Sequence, residues 1–480
     1  MSETQEVQFS LKAMINKEKT KVLFAEADRD LGDVLLSFLT LPLGTIVGIL
    51  EKHYGYESAP VIGSLTSLRR SLANLNDVHF WTKECKLMLL NPISSLEDEC
   101  RKLKLNIDHD AQPIKYFACE TWLHECFRSS GVRIYYDTVR CKCGKSMNRQ
   151  IGVRKSNTQT VDDGVFTKET VSFAISDDLQ IAPNVTGSIV QILCNFGITN
   201  IHGAEQITVT LGLNEIVGLL KGALLSKTPL TDLILNKRQT RHLKYESSPV
   251  MHKMEEESKS KKMVIKAIVQ KSSKKLLFAT AKEDFIDFLF SLLTIPLGGV
   301  ASLVGSNTCF GSINNLCRSI ENLNGEEYLK TKDTKSTLLK PELPPMYLSK
   351  NQILPLVEQK TPLSYLNPYA PYDGIIRSNK AYRDDFLMCF NDPKGEGSYV
   401  KGPGMFMVAD DLTVTPLSML SSVSVFNVLK IPLPDVEEIE FEIGLEEALN
   451  IIRASLTSTC ALTNGLMIKS VLMKKPKEEQ

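Results

Sequence analysis

The chain has 480 residues and a mass of 53.6 kDa, long enough for roughly two to four domains and for a core that needs no disulfides. Hydrophobic residues make up 43% and charged residues 23%, with 56 Lys+Arg set against 56 Asp+Glu. Zero net charge lacks the basic bias of a dedicated nucleic-acid binder, and this composition excludes an acidic disordered chain.

Met1 to Lys21 is polar and mixed in charge. It has neither the apolar core of a secretory signal nor the Arg-rich look of a transit peptide, so an intracellular, cytoplasmic location is expected. Phe9–Ile15 and Lys21–Ala27 read as a β-hairpin around Asn16-Lys17-Glu18-Lys19. Asp30 opens a helix over Leu31–Leu39, with Asp33 in its first turn, where acidic groups suit the helix dipole. The uncharged run Val34–Leu50 nears the length of about 17 residues that a spanning helix needs. Leu41-Pro42-Leu43-Gly44 interrupts it, and Pro inside a helix costs about 3 kcal/mol. Burial within the domain is expected, with no transmembrane segment. A second helix is expected at Ser64–Ala73, carrying Leu65, Leu68 and Leu72 at helical spacing. Residues 91–149 are irregular and rich in cysteine. Then come a strand at Thr170–Ile175, a helix at Ser188–Phe196, a strand at Gln206–Leu211 and a helix at Glu215–Leu225. Farther on, Met405–Val408, Leu420–Leu429, Glu438–Ile443 and Glu446–Leu456 repeat the strand–helix alternation. A β-hairpin, helices and then βαβα predict an α+β fold.

Self-similarity is the strongest signal. Phe9–Gly44 lies over Met263–Gly298 without a gap, and 17 of 36 positions are identical. The shared core reads KVLFAEADRDLGDVLLSFLTLPLG from Lys21 and KLLFATAKEDFIDFLFSLLTIPLG from Lys275. The register resumes at Gly63-Ser64 over Gly311-Ser312, at Asp177-Asp178-Leu179 over Asp410-Asp411-Leu412, and at Gly212-Leu213 over Gly444-Leu445. Two tandem homologous α+β domains are expected: residues 1–236 with a cysteine-rich insert at about 91–149, a charged linker at 237–261, and residues 262–475.

The stretches LFAEADRDLGDVLLSFLTLPLG, CRKLKLNID from Cys100 and CKCGKSMNRQI from Cys141 resemble the plant domain of unknown function (DUF) 674 family, over nearly the whole chain. The resemblance implies a plant-restricted family without an established activity. It carries no catalytic residue, substrate or cofactor onto this sequence.

Cys119, Cys126, Cys141 and Cys143 form C-x6-C-x14-C-x-C, with Gly144 after the last. Four soft thiolates are what a structural zinc prefers, and a Cys-x-Cys-Gly turn aims two sulfurs at one ion. His124 is an alternative nitrogen ligand and Cys100 an alternative sulfur; ordinary reduced thiols are the rival reading. The second repeat has only Cys389 in the matching region, so it cannot rebuild such a site. Two carboxylate pairs recur. Asp30 and Asp33 match Asp284 and Asp287, and helix-start electrostatics explains them more simply than acid–base chemistry. Asp177-Asp178 and Asp410-Asp411 read as turns. No P-loop, nucleophile elbow or kinase motif set is present. The expected function is a non-enzymatic interaction or regulatory scaffold with protein partners. The alternative is an enzyme of unrecognised type with a site between the repeats, and nucleic-acid binding is not expected.

Overall fold

A computed structural model describes residues 7–108, 115–121, 126, 132–134, 140–151, 153–154, 164–168, 172–184, 189–235, 262–305, 311–360, 364–366, 375–377, 386–387 and 390–466. The fold is α+β. The expected linker at 237–261, His124 and Cys389 lie outside the described residues.

Five strands of the first half are β1 (Phe9–Ile15), β2 (Val22–Ala27), β3 (Phe173–Ser176), β4 (Ile181–Pro183) and β5 (Glu205–Leu211). The second half supplies β6 (Met263–Gln270), β7 (Lys275–Lys282), β8 (Met405–Val408), β9 (Val414–Pro416) and β10 (Val436–Ile443). They build two antiparallel sheets, ordered β4-β3-β2-β1-β5 and β9-β8-β7-β6-β10. Period-two patterning sets their faces: Phe9, Leu11, Ala13 and Ile15 point into the core, while Ser10 and Lys12 face out. Met263, Ile265, Ala267 and Val269 do the same in β6. Asn16 Oδ1 ties the first hairpin by accepting from the N–H groups of Thr20 and Lys21, both at 2.8 Å.

Two smaller four-stranded sheets come from the inserts. One runs Phe390–Asn391, Val132–Ile134, Tyr116–Ala118, Arg149–Ile151; the other runs Val153–Arg154, Ile375–Arg377, Ser364–Leu366, Phe386–Leu387. In each, one outer strand belongs to the other half of the chain and pairs in parallel: Phe390 opposite Val132, and Ile375 opposite Val153.

The uncharged run Val34–Leu50 is not a single helix. Arg29–Ser37 is followed by a short 3-10 turn at Phe38–Thr40, and Pro42 then caps a new helix at Leu43–Tyr54. The same order occurs at Glu283–Ser291, Leu292–Thr294 and Leu297–Val304, with Pro296 as the cap. Pro suits such a start because its missing N–H is not needed there. Both Pro-Leu-Gly segments are buried, and they are buried against each other. Leu43 N donates to Ile295 O at 3.0 Å and Leu297 N to Leu41 O at 2.9 Å. A Cβ on Gly298 would lie 2.4 Å from Leu338 O and 3.1 Å from Leu39 O, so only glycine permits this approach. No helix among the described residues is long and apolar enough to cross a membrane.

Further segments are exchanged between the halves in reciprocal fashion. Lys401 N donates to His79 O and Trp81 N to Tyr399 O; in the counterpart, Lys168 N donates to Tyr328 O and Lys330 N to Phe166 O. Ser64 Oγ reaches Ser458 O at 2.7 Å, and Ser312 Oγ reaches Ser226 O at 3.3 Å. The helix Gly311–Asn322 therefore packs on Leu213–Leu225 of the first half. One buried apolar cluster runs through both halves, from Phe9 and Leu35 to Phe285 and Ile451.

Glu97 begins a short helix at Glu97–Cys100 and lies 3.1 Å from Arg101 Nε. Burial outweighs that cation and pushes its carboxyl up to about 7 from 4.5. A folded-state value above the unfolded one stabilises the fold fully below the unfolded value, and this contribution is lost as pH rises through the folded value. Glu97→Gln should therefore raise the unfolding free energy from urea melts by about 1–3 kcal/mol at about pH 8, and leave it unchanged near pH 4. Equal midpoints for the two proteins at both pH values would refute this account of Glu97.

Candidate metal centre

Strand pairing assembles the cysteine site. Tyr116–Ala118 runs antiparallel to Arg149–Ile151, with Ala118 opposite Arg149. The pairing continues past the strand as Glu120 N donates to Ser146 O at 2.9 Å. Cys119 is thereby carried to the Cys141–Ser146 turn. That turn closes through Gly144 N to Cys141 O and Cys141 N to Lys145 O, both at 2.8 Å. Gly144 adopts φ +84°, a left-handed value glycine takes without strain. The turn folds Cys143 back beside Cys141, as a two-ligand knuckle requires.

The four sulfurs of Cys119, Cys126, Cys141 and Cys143 all lie within 4.8 Å of one another. Cys119 Sγ and Cys143 Sγ are 3.4 Å apart. Tetrahedral zinc with bonds of about 2.3 Å sets its sulfurs about 3.8 Å apart, so the donor set fits an ion at its centre with small adjustments. Cys119, Cys126 and Cys141 are buried around Met147, whereas Cys143 is exposed. Thr121 Oγ1 is a neighbour absent from the sequence reading. It lies 3.1 Å from Cys119 Sγ and 3.7 Å from Cys126 Sγ, within hydrogen-bonding reach of both sulfurs. Its position two residues after Cys119 is the only signal that would have marked it.

Cys100 does not join the cluster. It is buried in the main core against Thr40 Oγ1 at 3.4 Å, and burial pushes its thiol up to about 12. His124 is outside the described residues. The four sulfurs are close enough together to hold a metal ion, and an ion held by all four in a tetrahedral set would keep no open coordination position for chemistry.

The recurring carboxylates are placed elsewhere and are fully occupied. Asp33 accepts from Val165 N at 2.6 Å, Thr167 N at 3.0 Å and Thr167 Oγ1 at 2.8 Å. Asp287 accepts from Tyr399 N at 2.7 Å, Val400 N at 2.9 Å, Asn351 Nδ2 at 3.0 Å and the Ser349 hydroxyl. Burial raises both carboxyls, and these donors pull against it. Helix-start electrostatics suits the partly exposed Asp30, which lies 3.2 Å from Arg29. Asp33 and Asp287 instead anchor the segments that cross between the halves. Asp177 turns the chain and accepts from Thr231 N at 2.8 Å and Thr231 Oγ1 at 2.9 Å; Asp410 does the same with Thr463, both contacts at 2.8 Å. Burial lifts Asp177 to about 6.

Searches of curated proteins and of solved structures return no match. The model of the family described as "Protein of unknown function (DUF674)" matches residues 5–446. With most of its length matched and its cysteine cluster and both five-stranded sheets inside that span, the chain belongs to the DUF674 family.

Proposed function

We propose that this chain is a non-enzymatic interaction scaffold made of two interlocked copies of one α+β unit, with a structural zinc in the insert of the first. The observation that carries the interaction reading is the helix Met419–Leu429. It has no buried residue, and Met419, Leu420, Val423, Val428 and Leu429 are all exposed, with Leu433 beside them. Only Val425 and Phe426 pack, onto Ile268, Leu277 and Phe278 of the second sheet. Exposed apolar groups gathered in this way mark surfaces that meet other proteins. Equivalent strand order in both pairs of sheets, together with the 17 shared positions, supports duplication. No disulfide joins the nine described cysteines, which suits a reducing, intracellular compartment. The junction at Pro42 and Pro296 is filled with buried side chains and backbone hydrogen bonds, so nothing there favours the alternative of an enzyme site between the halves. The test of the interaction reading is comparative co-purification with Leu420→Asp/Val428→Asp, after checking that its melting curve matches the wild type. Partners retained equally by both proteins would remove this surface from the account.

The zinc reading has its own measurement. Elemental analysis of the purified chain should find one zinc per molecule. Cys143→Ser should lower that content sharply and loosen the insert, because binding free energy is folding free energy at such a site. Cys100→Ser should leave the zinc content unchanged, and loss of metal in Cys100→Ser alone would show the ligand set to be wrong.

A further inference from the structure

Cys143 differs from the other three sulfurs of the centre. Cys119, Cys126 and Cys141 are buried, with the residues 2%, 4% and 4% exposed. Cys143 sits on the open side of the knuckle, where Gly144 at the tip has nothing within 4 Å of its Cβ position. Its sulfur is 3.4 Å from that of Cys119, which lies directly beneath it. Among the described residues, three other buried thiols, Cys85, Cys100 and Cys317, have no such neighbour, and burial pushes them up to about 11, 12 and 12, which keeps them inert. The exposed turn also carries Arg140, Lys142 and Lys145. A zinc ion with four thiolates keeps a net negative charge, and these cations offset it where the centre meets solvent.

We propose that the centre is a peroxide-responsive latch, in which oxidation joins Cys143 to Cys119 and releases the metal. The inference rests on the zinc reading above. The Cys143 thiolate attacks one oxygen of a hydroperoxide, which breaks the O–O bond and leaves a sulfenic acid and, with a proton, water (or an alcohol). The Cys119 thiolate then attacks that sulfur and expels hydroxide, which takes up a proton to become water. Two thiolates lose two electrons in total, the peroxide gains them, and one S–S bond forms. With two ligands gone, Cys126 and Cys141 cannot hold the ion alone.

The consequence reaches the second half. The sheet that carries the centre holds Phe390–Asn391 in parallel against Val132–Ile134. The new disulfide keeps Tyr116–Ala118 tied to the knuckle through Cys119, whereas loss of the metal frees Cys126, six residues before Val132, and so loosens the strand that grips Phe390–Asn391. The latch thus couples oxidation to a contact between the halves.

The experiment uses the full zinc-loaded chain and hydrogen peroxide, with a chromogenic chelator to read free zinc and peptide mass mapping to read disulfides. The wild type should release its zinc, form a Cys119–Cys143 disulfide, and show faster hydrogen exchange at 132–134 and 390–391. Dithiothreitol and added zinc should restore the starting state. Cys143→His keeps a zinc-binding donor but cannot form the disulfide, and it should release zinc about tenfold more slowly. Cys194→Ser, at an exposed thiol outside the centre, should release zinc like the wild type and yield the same disulfide. Equal release rates for Cys143→His and wild type, a disulfide mapped to Cys126–Cys141, or no release in excess peroxide would each overturn the proposal. A chain that neither carries nor binds zinc defeats the metal reading separately. In that case the oxidation step stands if Cys119–Cys143 still forms, and falls if it does not.

Discussion

Asp287→Ala should destabilise the protein by about 4 kcal/mol, whereas Asp284→Ala, three residues earlier on the same helix, should cost less than about 1 kcal/mol. Asp287 is fully buried and accepts from Tyr399 N, Val400 N, Asn351 Nδ2 and Ser349. Removing the carboxylate strands several buried donors at once, each costing about 1–3 kcal/mol in part offset by relaxation. Asp284 sits near the helix start and, among the described residues, accepts a hydrogen bond only from its neighbour Phe285 N, at 2.8 Å. Asp33→Ala and Asp30→Ala should show the same contrast in the first half, because Asp33 accepts from Val165, Phe166 and Thr167. Urea melts of the four variants check the pattern. Similar losses for Asp287→Ala and Asp284→Ala would mean that both act through the helix dipole and that the anchoring role is mistaken.

That contrast also shows where sequence reasoning reached its limit. An Asp in the first turn of a helix has a sufficient local explanation, and nothing near Asp33 in sequence points to partners more than a hundred residues away. The hairpin, the helix after it and the Pro-Leu-Gly break were legible because period-two and helical spacing and proline chemistry are local. Hydrophobic periodicity tells which face of Ser64–Ala73 is buried but not what buries it. In the structure, Ser64 N and Oγ bond Ser455 O and Ser458 O of the other half. The four-thiol set was legible from residue chemistry. Its assembly was not, because the Tyr116–Ala118 and Arg149–Ile151 pairing that brings Cys119 to the knuckle joins two three-residue strands too short to show a pattern. Cys100 looked like a ligand by type and proves to be a small core residue packed against Thr40.

Cutting the chain within 237–261 should leave two fragments that remain associated and purify together, and neither fragment should fold when produced alone. The contacts that cross between the halves are reciprocal and lie in the core, not on a separable surface. Leu43 and Leu297 bond across the paired prolines, Gly63 leaves 2.3 Å between a would-be Cβ and Ser455 O, and the strand Phe390–Asn391 completes a sheet of the first half. A lone first half would expose Leu68 and Leu72 of the helix Leu65–Asn74, which the intact chain buries completely. It would also lose the partner strand of His79–Trp81, whose backbone groups bond Tyr399 and Lys401. Fully burying a leucine is worth about 1.5–3 kcal/mol, so losing several such residues exceeds the whole stability of an ordinary domain, about 5–15 kcal/mol. The covalent connection contributes mainly effective concentration, so co-expression should restore a complex that melts in one transition, at a temperature that rises with protein concentration. Size-exclusion chromatography and calorimetry of the separate and co-expressed fragments make the comparison. A first half that is monomeric, soluble and melts cooperatively by itself would show that the exchange between halves is dispensable, and would return the chain to two independent domains on a tether.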